Sequence, residues 1–94
     1  MADIARSLRV AVSTGEVLFG YAEARKAVGK KQAKLVVVAS NCPSDHLEAL
    51  KKGGTKIHTF AGSNNDLGAV CGKPFAVSSL AVVKPGESDI LQVA

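Results

Sequence analysis

Gly20, Glu23 and Lys26 are the residues of this 94-residue chain whose types and spacing best suit chemistry with a ligand. Gly20 joins an apolar run, Val17-Leu18-Phe19, to a polar segment that opens a helix. The first N–H groups of a helix lack internal partners and the positive end of its dipole lies there. A strand, a glycine and a helix start together therefore build a backbone site for something negative. Downstream, Arg25, Lys26, Lys30, Lys31 and Lys34 place five cations in ten residues with no acid among them. That run suits an anionic partner such as nucleic acid, and it also fits a solvated helix end, where Lys and Arg favour the last turn. Glu23 and Lys26 share a helix face and read either as a surface ion pair or as a recognition pair. In the second reading the carboxylate accepts hydrogen bonds from a base edge such as the N–H groups of guanine, while Lys26 offsets its charge and holds the backbone.

Other chemistries find little support. There is no G-x-S-x-G elbow, no G-x-G-x-x-G and no pair of carboxylates placed for acid–base work. The run from Gly68 to Pro74, GAVCGKP, falls short of a phosphate-binding P-loop. Three residues instead of four separate its glycines, Pro74 stands where Ser or Thr is needed, and a helix precedes the loop instead of following it. Cys42 and Cys71 lack C-x-x-C spacing, and His46 and His58 fall in no metal-ligand pattern, so no metal site is expected. Cys42 sits at a helix start, but no well-placed histidine activates it, so it reads as a bystander thiol.

Composition bounds the rest. Apolar residues make up 47% and charged residues 21%, ordinary values for one small globular domain over residues 1–94. Three Phe, one Tyr and no Trp mean an aliphatic core and few rings for stacking, which disfavours a general single-strand binder. Of the net charge of +4, residues 1–56 hold the whole excess, with ten Lys or Arg against five Asp or Glu. No apolar run approaches the roughly 20 residues of a membrane span, and the start MADIARSLR has no signal-peptide core, so a cytoplasmic protein without a membrane partner is expected.

The elements that must position these residues alternate along the chain. Helix one carries Ile4, Ala5, Leu8, Ala11 and Val12 at helical spacing behind Asp3 as N-cap, and stops at Ser13-Thr14-Gly15. A strand over Val17 to Phe19 leads through Gly20 to helix two, Tyr21 to Val28, with Gly29 just past its end. Lys34 to Ser40 is continuously apolar and β-branched, as a strand buried on both faces would be, and is expected at the sheet's centre. Asn41 to Asp45 reads as the cap and first turn of helix three, with Pro43 near N1, running to Lys51-Lys52 and ending at Gly53-Gly54. Lys56 to Phe60 is a strand. Ser63 and Asp66 resemble a capping box for helix four, Asn64 to about Cys71, which Gly72-Lys73-Pro74 terminates. Phe75 to Val83 is the longest strand pattern, and a type II turn at Pro85-Gly86 is expected to return a last antiparallel strand, Ile90 to Val93.

This alternation implies an α/β fold, a mixed sheet between helical layers. Loops leaving one edge of such a sheet converge. The Gly20 turn, the Ser40 to Pro43 turn and the Gly68 to Pro74 segment are thus expected to form one site, better suited to unpaired or distorted RNA than to regular DNA duplex.

Three segments carry a resemblance to a known family: LVVVASNCP (Leu35 to Pro43), LGAVCGKPFAVSSLAVV (Leu67 to Val83) and PGESDIL (Pro85 to Leu91). In order and spacing they resemble the archaeal and eukaryotic large-subunit ribosomal proteins numbered thirty, part of a superfamily that binds RNA kink-turns. The likeness runs from Leu8 to Leu91. It implies a three-layer α-β-α sandwich with a mixed, mostly four-stranded sheet, a structural role in the large ribosomal subunit, no enzymatic activity and no cofactor. Its implied partners are ribosomal RNA and neighbouring ribosomal proteins, with the free protein a monomer. By the same resemblance Gly20 matches the turn glycine, Glu23 the base-reading carboxylate and Lys26 the lysine one turn on. Asn41, beside Cys42, matches the polar residue of a second loop, and Gly72, Lys73 and Pro74 match a third loop that packs on exposed bases. From the cation run, Arg25, Lys30 and Lys31 are expected to add contacts to the RNA backbone. One position departs. The first loop of the family usually reads Gly-x-Asn-Glu, and Ala22 stands where that asparagine would hydrogen-bond a guanine. Tyr21 reads as a packing residue. A core protein of a small RNA-guided modification particle, and a small-molecule or nucleotide-binding α/β domain using the Gly20 helix start, are the competing readings.

Overall fold

The computed structural model describes residues 4–88 and residue 90. In chain order the elements are α1 (Ile4–Thr14), β1 (Glu16–Phe19), α2 (Tyr21–Gly29), β2 (Leu35–Ala39), α3 (Ser44–Lys51), β3 (Ile57–Phe60), α4 (Asn64–Val70) and β4 (Ser79–Lys84). Asp3, expected to cap α1, lies outside the described residues. The four strands form one sheet in the order β1-β4-β2-β3, with β4 antiparallel to both neighbours and β2 parallel to β3.

β2 is buried at every position because its side chains alternate between two cores. Leu35, Val37 and Ala39 pack with Leu8 and Ala11 of α1 and Leu67 of α4. Val36 and Val38 pack with Ala24, Ala27 and Val28 of α2 and Leu50 of α3. The result is the expected three-layer sandwich, with α1 and α4 on one face of a mixed four-stranded sheet and α2 and α3 on the other.

Three expectations are corrected. β4 begins at Ser79, four residues after Phe75, because the chain from Gly72 to Ser78 wraps α4 first. Gly68 permits this wrap, since a Cβ there would lie 2.1 Å from the Phe75 carbonyl oxygen. The second concerns the last strand. Gly86 takes the positive φ of 61° that the turn requires, but β4 already has β1 and β2 as partners, so a hairpin strand has no free edge to join. Ile90 is instead helical and buried in the α1/α4 core, and residues 91–94 lie outside the described residues. The third is the end of α2, where Gly29 is still helical and Lys31 takes the left-handed cap at φ 57°. A non-glycine residue there costs roughly 1–2 kcal/mol.

Candidate nucleic-acid interface

Because β4 runs antiparallel to both β1 and β2, the strands β1, β2 and β3 all end at the same edge of the sheet, where β4 begins. The register places Phe19 opposite Leu80, Val38 opposite Ser79 and Ala39 opposite Phe60. The Gly20 turn, the Asn41 turn and the segment from Gly72 therefore emerge at one rim. With β4 between β1 and β2, the first two turns are about 10 Å apart by strand spacing.

Gly20 caps α2 with φ 93° and ψ 157°, and its N–H donates to the Ser79 carbonyl at 2.9 Å. A Cβ on Gly20 would meet nothing within 4 Å, so only the backbone conformation demands glycine and the space outside is open for a close approach. Behind it, Ala24, Ala27 and Val28 are buried while Ala22, Glu23, Arg25 and Lys26 are exposed. Lys26 Nζ lies 3.9 Å from Glu23 Oε1, so the ion pair and the recognition pair are the same two side chains, both more than half exposed. Tyr21 is half-buried and stacks on His46 at 3.8 Å and 8°, joining α2 to α3 beneath the rim.

Asn41 is placed by a contact that local reading missed. Instead of capping α3, whose N-cap is Pro43, it holds the start of α4. Its Oδ1 accepts from the Asn64 N–H at 2.9 Å, and its Nδ2 donates to Asn64 Oδ1 at 3.1 Å. Two of the four hydrogen-bonding positions of the amide thus fix the second loop, and two remain for a ligand. Ser63 and Asp66 form the capping box expected of them. Lys73 Nζ lies 4.7 Å from the centre of the Phe19 ring, which brings the third loop against the residue preceding Gly20. Ser79 is fully buried at this rim, and its hydroxyl has no hydrogen-bond partner among the described residues.

The other site residues are distributed differently. Cys42 is half-buried against the α2/α3 core, where desolvation, with the charge of Asp45 adding to it, pushes the thiol above its ordinary 9.0. Burial pushes the Cys71 thiol up to about 11, although the Lys73 charge pulls the other way. Neither cysteine is activated as a nucleophile. Among the described residues no group of His, Cys, Asp and Glu could hold a metal, and no helix is long and apolar enough to cross a membrane. Lys30 and Lys31 follow α2 at its far end, one helix length or about 13 Å from Gly20. The cation run of the sequence is therefore split between two ends of the molecule, with Arg25 and Lys26 at the rim and Lys30, Lys31 and Lys34 away from it.

The profile of the ribosomal protein L7Ae/L30e/S12e/Gadd45 family matches residues 2–92. The chain belongs to this family. Among its relatives, the large ribosomal subunit protein eL30 of Methanospirillum hungatei is 47% identical over 93 residues, covering 98% of each chain. That of Methanoregula boonei is 47% identical over 92 residues, covering 97% of this chain and 95% of the relative. The Methanosphaerula palustris protein of the same name is 44% identical over 92 residues, covering 97% and 96%. For this family member, one rim residue escaped the sequence reading. Phe75 is 54% exposed, a large apolar side chain left in solvent directly after Pro74. Its place in a strand-like pattern hid it, and the adjoining Gly72 and Pro74, which break strands, were the available signal.

Proposed function

We propose that this protein is a structural, non-enzymatic constituent of the large ribosomal subunit that binds ribosomal RNA at a kink-turn or similarly bent internal loop through the Gly20 rim. The observation that carries the reading is the convergence of the Gly20 turn, the Asn41 turn and the Lys73 loop on one edge of the sheet, in a chain that matches relatives named as large-subunit proteins. Glu23 accepts from guanine N–H groups, Lys26 and Arg25 hold the flanking backbone, and the amides at the start of α2 face phosphate. Asn41 and Gly72 shape the second and third loops, and Pro74 with Phe75 offers an apolar platform to an unstacked base.

Charge supports a reader of bases and shape at this rim. Arg25, Lys26 and Lys73 are matched there by Glu23, Asp45 and Asp66, so the selectivity comes from hydrogen bonds and fit. Ala22, exposed in the first turn of α2, removes one base contact and favours binding inside an assembled particle over tight binding to isolated RNA. That weighs against the modification-particle role. A small-molecule site would need a concave pocket with convergent polar groups, and a concavity of about 420 Å³ along α1, lined by Arg6, Arg9, Val10, Ser13, Thr14 and Glu87, includes no rim residue. The expected setting is the cytoplasmic ribosome with other ribosomal proteins as neighbours, the free chain being a monomer. Sedimentation of cell extract at moderate salt tests the reading. The protein should travel with large subunits, and migration as a free small protein would contradict it.

A further inference from the structure

We infer that the end of the sheet opposite Gly20 is a second RNA-binding surface, which grips the phosphate backbone of a regular A-form helix, so that the protein bridges two RNA segments. This rests on the RNA-binding reading of the Gly20 rim and extends it to the opposite end of the sheet. The molecule measures 28 × 25 × 24 Å, and the two ends of the sheet lie on opposite sides of it.

The first observation is the placement of charge. At this far end β1, β2 and β3 begin and β4 finishes. The loop from α2 to β2 brings Lys30, Lys31 and Lys34, the loop from α3 to β3 brings Lys52 and Lys56, and β4 ends on Lys84, all six exposed. The acids described there are Glu16 and Glu87, with Glu48 in the last turn of α3 beside Lys52. Lys30, Lys31, Lys34, Lys52 and Lys84 form no ion pair with a described residue. Lysines from three separate connections thus gather at one end while the Gly20 rim is balanced, so the long-range attraction for a polyanion is stronger at the far end.

The second observation is independent of the count. Lys31 holds the left-handed position that ends α2, at φ 57°, where glycine would be unstrained. Its N–H bonds to the Val28 carbonyl at 3.1 Å, so the cap is made by the backbone, while its exposed side chain forms no ion pair with a described residue. A strained residue kept where glycine is favoured points to a use for that side chain. The partner is a nucleic acid rather than an acidic protein, because protein interfaces are built around apolar and aromatic cores and are poor in lysine. Among the described residues the exposed large apolar side chain is Phe75, at the other rim. A phosphate backbone needs no apolar centre.

The test uses the whole chain with two probes, a kink-turn RNA with short stems and a plain RNA duplex of about 16 base pairs, the span of a duplex-reading module. Protein saturated with the kink-turn RNA should still capture the labelled duplex as a ternary complex on a native gel. K30A/K31A/K34A/K84A should lose the capture and reduce the salt slope for the duplex by about four, one for each phosphate contact, while kink-turn affinity stays within about threefold. Lys31→Gly should raise Tm by several degrees and weaken duplex binding, whereas a purely structural Lys31 would give the first effect alone. Displacement of the duplex by kink-turn RNA, or a wild-type salt slope in the fourfold variant, would overturn the inference. Loss of kink-turn binding by the wild-type protein with duplex binding intact would instead overturn the proposed function and leave the second surface standing.

Discussion

Replacing Glu23 by Gln separates folding from recognition. The carboxylate is at the third position of α2, with Lys26 Nζ 3.9 Å away and both side chains more than half exposed. The pair contributes about 0.2–0.5 kcal/mol, and the favourable end of the helix dipole adds about 0.3–1 kcal/mol, both reduced by solvent and salt. For a domain of this size, a loss near 1 kcal/mol lowers Tm by about 4–8 °C, leaving the protein folded at 25 °C. Binding is different. A carboxylate that accepts from two guanine N–H groups is replaced by an amide with one acceptor, and a lost base contact of this kind is worth about 1–3 kcal/mol, or roughly 5- to 150-fold in Kd. A plain RNA duplex offers no such edge, and removing a negative charge beside phosphates leaves its affinity equal or slightly higher. Gel-shift titrations of both RNAs at one fixed salt concentration thus predict weaker kink-turn binding with unchanged or tighter duplex binding. Equal losses on the two RNAs, or no loss on the kink-turn, would refute the base-reading role of Glu23.

Three further outcomes are expected. Ala22→Asn restores a hydrogen-bonding side chain in the first turn of α2 and should tighten binding to an isolated kink-turn by about 1–3 kcal/mol, read by the same titration. Gly68→Ala drives a Cβ to 2.1 Å from the Phe75 carbonyl oxygen, displacing the third loop; overpacking of this kind costs about 1–3 kcal/mol, so thermal unfolding should show Tm lowered by roughly 4–24 °C. Cys71 is raised from 9.0 to about 11, so between these values the unfolded chain loses the thiol proton first and stability falls as pH rises, by up to about 2–3 kcal/mol. Urea unfolding of Cys71→Ala from pH 8 to 11 should show a shallower decline than wild type.

Local signals carried most of the fold. The unbroken apolar run Leu35–Ala39 marked a strand with two covered faces, and Ser63 with Asp66 marked the start of α4, because both depend on neighbours along the chain. The Gly20 turn was legible for the same reason. What escaped depends on distant partners. The place of β4 between β1 and β2, which leaves no edge for a strand at Ile90, is a property of sheet order that no window of sequence contains. Asn41 holds Asn64, 23 residues away, so it read as a local cap. The cations from Arg25 to Lys34 are contiguous in sequence, yet α2 carries Lys30 and Lys31 to the opposite end of the sheet. Phe75 resembled the first residue of a strand until the wrap around Gly68 put it in solvent.

The most direct test of the central claim is an amide chemical-shift titration of the ¹⁵N-labelled protein with kink-turn RNA. The account predicts the largest perturbations at Gly20, Ala22, Glu23, Asn41, Gly72, Lys73 and Phe75. Perturbations confined to the Lys30–Lys34 and Lys52–Lys56 connections, with the Gly20 rim unmoved, would contradict it.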